Sequence, residues 1–111
     1  MDEEIGWARV ASLLDAEGCL RSNQACMDIR MCDKDLIQMV FDVTGSTNRM
    51  TERTLPSGKI QYGIYITGKT FVTKCLTRML PYLGERRTKQ AHILLDWIKN
   101  SRYQQKDNAP A

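Results

Sequence analysis

The stretch that decides the fold lies near the N-terminus and reads Val10-Ala11-Ser12-Leu13-Leu14-Asp15-Ala16-Glu17-Gly18. It predicts the second half of a helix over 4–16, with an acid at its end and a glycine that stops it. Bulky residues fall on the side expected to face the core: Gly6, Trp7, Val10, Leu13 and Leu14. The nearly opposite side, the small-residue face, carries Ala8, Ala11, Ser12 and Asp15. Because small side chains let another helix backbone come close, we expect this face to contact a partner helix.

Length and charge set the broad class of the protein. A chain of 111 residues is one domain, and oligomerisation would help to stabilise its modest core. Residues 1–44 contain nine acids and four bases, a net charge of −5, whereas residues 45–111 contain twelve bases and four acids, a net charge of +8. This asymmetry indicates either ordinary solvated charge or a basic surface for phosphates beside an acidic cluster that holds a cation.

The sequence also favours certain compartments and excludes some kinds of site. No apolar run approaches membrane-spanning length, and the acidic start is unlike a signal or transit peptide. We therefore expect an intracellular protein that is not secreted and has no membrane partner. Four cysteines without a Cys-x-x-Cys pair, and one histidine, do not provide zinc-site spacing. Free thiols are favoured over a disulfide such as Cys19–Cys26.

Hydrophobic periodicity predicts two ββα units after the first helix. The predicted elements are strands over 19–23 and 26–31, a helix over 34–44, a hairpin over 47–67, a helix over 69–80 and a last helix from 85 to about 102. The order αββαββα(α) indicates an α+β fold, a four-stranded antiparallel sheet with helices on one face. We expect a single domain over 1–103 and a polar tail over 104–111.

The opposite face of the predicted sheet is polar and cannot form a core. We call this face the polar sheet surface; it carries Arg21, Asp28, Arg30, Arg49, Thr51, Arg53, Lys59, Gln61 and Tyr65. Side chains of these types can contact phosphates and read base edges in a major groove, although they are also ordinary strand-surface residues. We expect DNA contacts from this surface, at every position named except Asp28.

The opening stretch resembles the motif of the LAGLIDADG homing endonucleases, with Ser12 in place of a small glycine and Glu17 in place of the last aspartate. The segment from Leu80 to Leu83, followed by residues 86–91, resembles the family's "PxL…K…QA" pattern. The resemblance covers almost the whole chain and implies the family's fold in a microbial, phage-infected or organellar host. Because the chain has one motif, the resemblance implies a homodimer joined through the first helix.

The resemblance also implies a chemistry. The expected activity is Mg²⁺-dependent (or Mn²⁺-dependent), site-specific cleavage of double-stranded DNA at a pseudo-palindromic site. Two Glu17 carboxylates near the two-fold axis, with the Ala16 carbonyl, would hold the metal. A basic residue near the start of the last helix assists in the family, and the spacing assigns this role to Arg87, with Arg86 as the alternative. An arginine stays protonated, so it could only stabilise charge on the phosphate. The family's polar residue at the end of the second strand is replaced by Met31.

Two other functions remain open at this stage. Met31 and the uncertain basic residue leave room for a non-catalytic LAGLIDADG-fold protein that binds DNA or RNA, as a maturase or a regulator. A small α+β domain with a purely structural helix interface is the third possibility. On the simplest interpretation, Glu17 is a surface carboxylate at a helix end, and Arg86 and Arg87 are a solvated helix start.

Overall fold

The computed structural model describes residues 2–21 and 23–101. Its elements are α1 (Glu3–Glu17), β1 (Gly18–Leu20), β2 (Cys26–Met31), α2 (Lys34–Thr44), β3 (Thr51–Thr54), β4 (Ile60–Thr67), α3 (Lys69–Met79), a 3-10 turn (Leu80–Tyr82) and α4 (Glu85–Asn100). The predicted α+β order is confirmed. The polar tail expected at 104–111 lies outside the described residues.

The four strands form one antiparallel sheet in the order β1-β2-β4-β3. Met27 pairs with Ile66 and Ile29 with Ile64, so these apolar residues share one face. All four are buried, and α1, α2 and α3 contact the two central strands. Since alternate strand residues point to opposite faces, the same register sends the polar residues between them to the other side of the sheet.

The core lies between this apolar sheet face and the helices. Trp7, Val10 and Leu14 from α1 are buried in it, as the bulky side of the helix predicts. Burial of each large apolar side chain contributes about 1.5–3 kcal/mol, so the sheet and α1 stabilise each other. The core therefore fixes the direction in which the C-terminal end of α1 points.

Gly18 follows the last residue of α1, and a glycine is required there by the close approach of Leu14 and not by a left-handed backbone. Its φ of −88° and ψ of 167° are extended, and its N–H donates to the Leu14 carbonyl. A Cβ at this position would lie 2.4 Å from Leu14 Cδ1 and 2.6 Å from the Leu14 carbonyl oxygen. Only glycine lets the chain pass so close to the last turn of α1. Gly45, in contrast, ends α2 in the left-handed region with φ of 72°.

The second hairpin departs from the prediction at its start. The outgoing strand begins at Thr51, so Arg49 lies before the strand and not in it. Asn48 Nδ2 donates to the Tyr65 carbonyl at 2.7 Å, which holds this segment beside β4 through a side chain. The first strand is also shorter than predicted, since β1 ends at Leu20. The four cysteines are free thiols, including Cys19 and Cys26.

Candidate active site

The end of α1 presents oxygen atoms to the outside of the subunit. Glu17 is the last helical residue, and both it and Ala16 are exposed. The last carbonyls of a helix have no intrahelical partner, and the helix dipole is negative at this end. A carboxylate beside such carbonyls is a donor set that suits a hard cation such as Mg²⁺ or Mn²⁺.

One described subunit supplies only part of such a set. Residues 2–21 and 23–101 contain no group of three or more His, Cys, Asp or Glu side chains placed to hold a metal ion. Glu17 and the Ala16 carbonyl can therefore contribute ligands, but the described residues do not complete a set of protein ligands around them.

Two contacts join the end of α1 to the start of α4. The Gly84 N–H, just before α4, donates to Asp15 Oδ2 at 2.9 Å. Arg87 Nη2 donates to the Gly18 carbonyl, the residue next to Glu17. The Asp15 carboxylate also lies near the positive end of the α4 dipole, which favours it electrostatically. The residues expected to serve catalysis, Glu17 and Arg87, are thus brought together although they lie far apart in sequence.

Arg87 is a buried cation that has no counter-ion among residues 2–21 and 23–101. Its side chain is only 9% exposed. Nη1 donates to Gln90 Oε1 at 2.8 Å, and Nε is buried without any partner. Within the described ranges, no carboxylate pairs with Arg87. Buried charges are ordinarily paired with an opposite charge. Here the compensation comes instead from two oxygen acceptors and from the negative end of the α1 dipole, while the first turn of α4 is the positive end of its own dipole.

The other proposed basic residue, Arg86, is exposed in the first turn of α4. Its role in catalysis stays a prediction, as does that of Arg87. Met31, where the family has a polar residue, is half-buried and packs against the core. Its neighbours on the same sheet face are the apolar residues of the core, so it offers no polar group to the end of α1.

The structure places the four residues of the small-residue face of α1 in different environments. Ala11 is 0% exposed because it packs inside the subunit, so it cannot contact a partner. Asp15 is half-buried and accepts its hydrogen bond from Gly84 of the same chain. Ser12 is exposed and Ala8 is half-buried. Ile5, which the sequence analysis did not assign, is 56% exposed.

The outer stripe of α1 therefore consists of Ile5, Ala8, Ser12 and Ala16, and we use this name for it below. An exposed isoleucine one turn before Ala8 was the signal in the sequence that could have shown the correct orientation.

Strand register places most of the polar sheet surface as predicted. Asp28 lies between Cys19 and Tyr65. Arg30 pairs with Gly63, and Gly63 pairs on its other side with Thr51. Gln61 and Arg53 are paired in the next row. Arg21 follows β1, while Arg49 and Lys59 lie outside the strands. The role of these residues in DNA contact stays a prediction.

One residue of the polar sheet surface is buried and acidic. Asp28 is 4% exposed, and its Oδ2 lies 3.3 Å from Arg30 Nη2 and 3.9 Å from Arg21 Nη2. The Arg30 guanidinium lies over the Tyr65 ring, 5.4 Å from its centroid. The hydrogen bond from Arg30 to Asp28 raises the pKa of the Arg30 guanidinium. The alternation of acid and arginine along β2 was the sequence signal for this cluster, but it did not reveal the burial of the acid.

Comparisons with known proteins support the fold. No family model matches the chain, and no curated protein matches it. Among solved structures, a crystal structure of the homing endonuclease I-CvuI with the I-CreI target DNA and 2 mM Mg, in which the DNA is not cleaved, gives a TM-score of 0.64 at 20% sequence identity. It covers 87% of this chain and 68% of that chain. A second I-CvuI structure, with its target Sro1.3 and 2 mM Ca, gives a TM-score of 0.63 at 20% identity. That match also covers 87% of this chain and 68% of the I-CvuI chain.

The chain therefore has the fold of the homing endonuclease I-CvuI, as the motif resemblance predicts. The part of the chain that the structure describes contains no helix long and apolar enough to cross a membrane.

Proposed function

We propose that this chain is a homodimeric, Mg²⁺-dependent endonuclease that cleaves double-stranded DNA at a pseudo-palindromic site. The observation that carries the proposal is the pair of charges at the end of α1. The exposed Glu17 carboxylate can hold a cation. Beside Gly18 lies the buried Arg87 guanidinium, which has no anionic partner in the part of the chain that the structure describes. A buried charge without an ionic partner departs from the usual pairing of buried charges, which is typical of a functional site, and a phosphate is the anion that would compensate it.

A dimer would complete the site. The outer stripe of α1 is narrow and partly apolar, and in a two-fold dimer it would pack against the same stripe of the second copy. The two Glu17 side chains would then lie on either side of the axis, and each would hold metal with the Ala16 carbonyl. These residues would hold a divalent metal, and the chemistry it would supply when bound is polarisation of the scissile phosphate and activation of an attacking water.

The other residues have supporting roles in this mechanism. Arg87 stays protonated and would donate a hydrogen bond to a phosphate oxygen, so it stabilises negative charge as the bond to phosphorus breaks. Arg86, exposed one residue earlier, is the alternative for this contact. The polar sheet surfaces of the two copies would contact the two half-sites, which explains why the target is expected to be pseudo-palindromic.

The test is cleavage of a library of random DNA duplexes by the full chain, with Mg²⁺ and with EDTA. Glu17→Gln should keep DNA binding and lower the cleavage rate by more than about 100-fold, because even outer-shell partners of a metal contribute 10–100-fold. The matched control is Glu4→Gln, which removes the same charge from the first turn of α1 and should cleave normally. A folded dimer that cleaves nothing in the library with Mg²⁺ or Mn²⁺ would contradict the proposal.

A non-catalytic protein that binds DNA or RNA is the second candidate. It is favoured by Met31, which packs in the core instead of facing the site, and by the inward direction of Arg87. This candidate predicts nucleic-acid binding that survives EDTA, is unchanged by Glu17→Gln and is never followed by cleavage.

A further inference from the structure

The polar sheet surface contains one buried acid, and its surroundings are built around it. Asp28 lies on the central strand β2, at the base of a cluster that includes Arg21 and Arg30. The arginine side chains remain 43% and 36% exposed, while the Asp28 side chain is 5% exposed. The acid is therefore covered, and the two guanidinium groups lie at the surface above it.

Arg30 is held by two side chains, and a glycine beside it gives it room. Asp28 accepts a hydrogen bond from its Nη2, and Tyr65 supports the guanidinium from below. Gly63, its neighbour on β4, leaves space for the aliphatic part of the side chain: a Cβ there would lie 3.2 Å from Arg30 Cγ and 2.6 Å from Thr51 Oγ1. A long side chain on a sheet surface is ordinarily free to rotate, so this degree of restraint indicates a positioned group.

A restrained guanidinium suits a base better than a phosphate. A phosphate can be bound by a mobile cation acting as a point charge, and an acid nearby weakens that attraction. A guanine presents two acceptors, O6 and N7, that match two parallel N–H donors of a fixed guanidinium. Asp28 takes one donor of Arg30 and leaves others free. Arg30 also lies on a central strand, which would face the floor of a groove, whereas edge strands lie nearer the phosphates.

We propose that Asp28 is a specificity-determining residue that fixes Arg30 to read one guanine in each half-site. The inference rests on the proposed function, because it needs the polar sheet surface to contact duplex DNA. Asp28 acts through Arg30 and does not itself contact the base, so it is a positioning residue. Arg21, on the other side of the same carboxylate, balances its charge and leaves the cluster with one net positive charge.

The test is selection of bound duplexes from a random library by the full chain in EDTA, so that no DNA is cut. The native chain should enrich sites with a guanine at one position of each half-site. Arg30→Lys keeps the charge but loses the planar pair of donors, so it should reduce the preference for guanine by about 5- to 150-fold. Asp28→Asn should reduce the same preference without weakening binding to random DNA, because it removes a negative charge.

The matched control for Asp28→Asn is Glu52→Gln. Glu52 is exposed on β3, and its partner Tyr62 lies on the face of the sheet opposite to the cluster. The control changes the net charge by the same amount, so it should alter binding to random DNA similarly and keep the guanine preference. This comparison separates a loss of specificity from a change in overall electrostatic attraction.

The possible outcomes distinguish the inference from the function on which it rests. Loss of the guanine preference in both Asp28→Asn and Arg30→Lys, with folding verified by circular dichroism, supports the inference. If the native chain binds DNA without a guanine preference, or if either folded variant retains it, the inference is wrong and DNA binding stands. If the native chain binds no DNA, the proposed function is overturned, and the inference with it.

Discussion

Substitution of Gly18 by alanine should destabilise the protein more than any other glycine-to-alanine change at an extended position of the chain. The new Cβ would lie 2.4 Å from Leu14 Cδ1, 2.6 Å from the Leu14 carbonyl oxygen and 2.8 Å from its Cα. Rotation of the leucine side chain can relieve only the first of these contacts. The other two involve backbone atoms of a residue that is 0% exposed in the core, so β1 must move away from α1.

The expected loss follows from the groups that such a movement disturbs. Overpacking of a close-packed site costs about 1–3 kcal/mol. Weakening of the hydrogen bond from the Gly18 N–H to the Leu14 carbonyl costs about 1 kcal/mol more. Alanine restricts the unfolded chain and returns about 0.4–1 kcal/mol of stability. The net loss is about 1–3.6 kcal/mol, a large part of the ~5–15 kcal/mol by which such domains are stable.

Urea unfolding measures this loss directly. With a slope of about 2 kcal/mol per molar urea, the midpoint should fall by about 1 M. Gly84→Ala is the matched control: its φ of −68° suits alanine, and the nearest atom to its Cβ would be Asp15 Oδ2 at 3.6 Å. This control should change stability by less than about 1 kcal/mol. If Gly18→Ala lost no more than Gly84→Ala, the close approach of β1 to α1 would not be what requires the glycine.

Two further predictions concern buried polar groups. Arg87→Met should abolish cleavage but change the free energy of unfolding by less than about 2 kcal/mol. The loss of its hydrogen bonds to Gly18 and Gln90 is offset by the removal of a buried charge. A large loss of stability in urea would instead show that Arg87 has a structural role. Burial raises the pKa of the Cys75 thiol from 9.0 to about 12. Above pH 9.0 the unfolded chain therefore loses a proton that the folded protein keeps, and the free energy of unfolding falls as the pH rises. Urea midpoints measured above pH 9.0 should therefore fall less steeply in Cys75→Ala than in the native chain.

Periodicity in the sequence was sufficient for the elements whose apolar residues are regularly spaced. The strand over 26–31 and the helix over 34–44 match the structure, because each buries one face against a single layer. The start of β3 was not predictable in this way. The segment before Thr51 has polar and weakly apolar residues, and it is attached to β4 through the Asn48 side chain, which no periodic pattern indicates.

The orientation of α1 shows a second limit of sequence patterns. The predicted small-residue face assumed that α1 packs on one side only. In the structure, α2, α3 and the sheet all contact α1, so the buried arc widens until it includes Ala11. A small residue on a helix can serve close packing inside a subunit as well as between subunits, and the sequence does not distinguish the two. The outer stripe that remains is rotated towards Ile5 and Ala16.

The active-site prediction depended on contacts across the fold. The resemblance placed Arg87 near the end of the motif, and its hydrogen bond to Gly18 supports that proximity. Its burial could not be inferred, because an arginine in the first turn of a helix, next to Arg86, usually lies in solvent. This side chain is buried because the hydrogen bond from the Gly84 N–H to Asp15 holds the start of α4 against the end of α1.

The charges at this junction also bear on the choice between a catalytic and a purely structural role. Arg87 donates to the carbonyl of Gly18, the residue after Glu17, so a purely structural junction could pair this acid with this cation. They do not pair: Glu17 remains exposed, and Arg87 Nε remains without a partner in the described part of the chain. The Glu17 charge is thus available to a cation, and the Arg87 charge lies just below the surface with no anion beside it among the described residues. A cation held by Glu17 and a phosphate beside Arg87 would satisfy both at once, and no interface made only of protein would do so as simply.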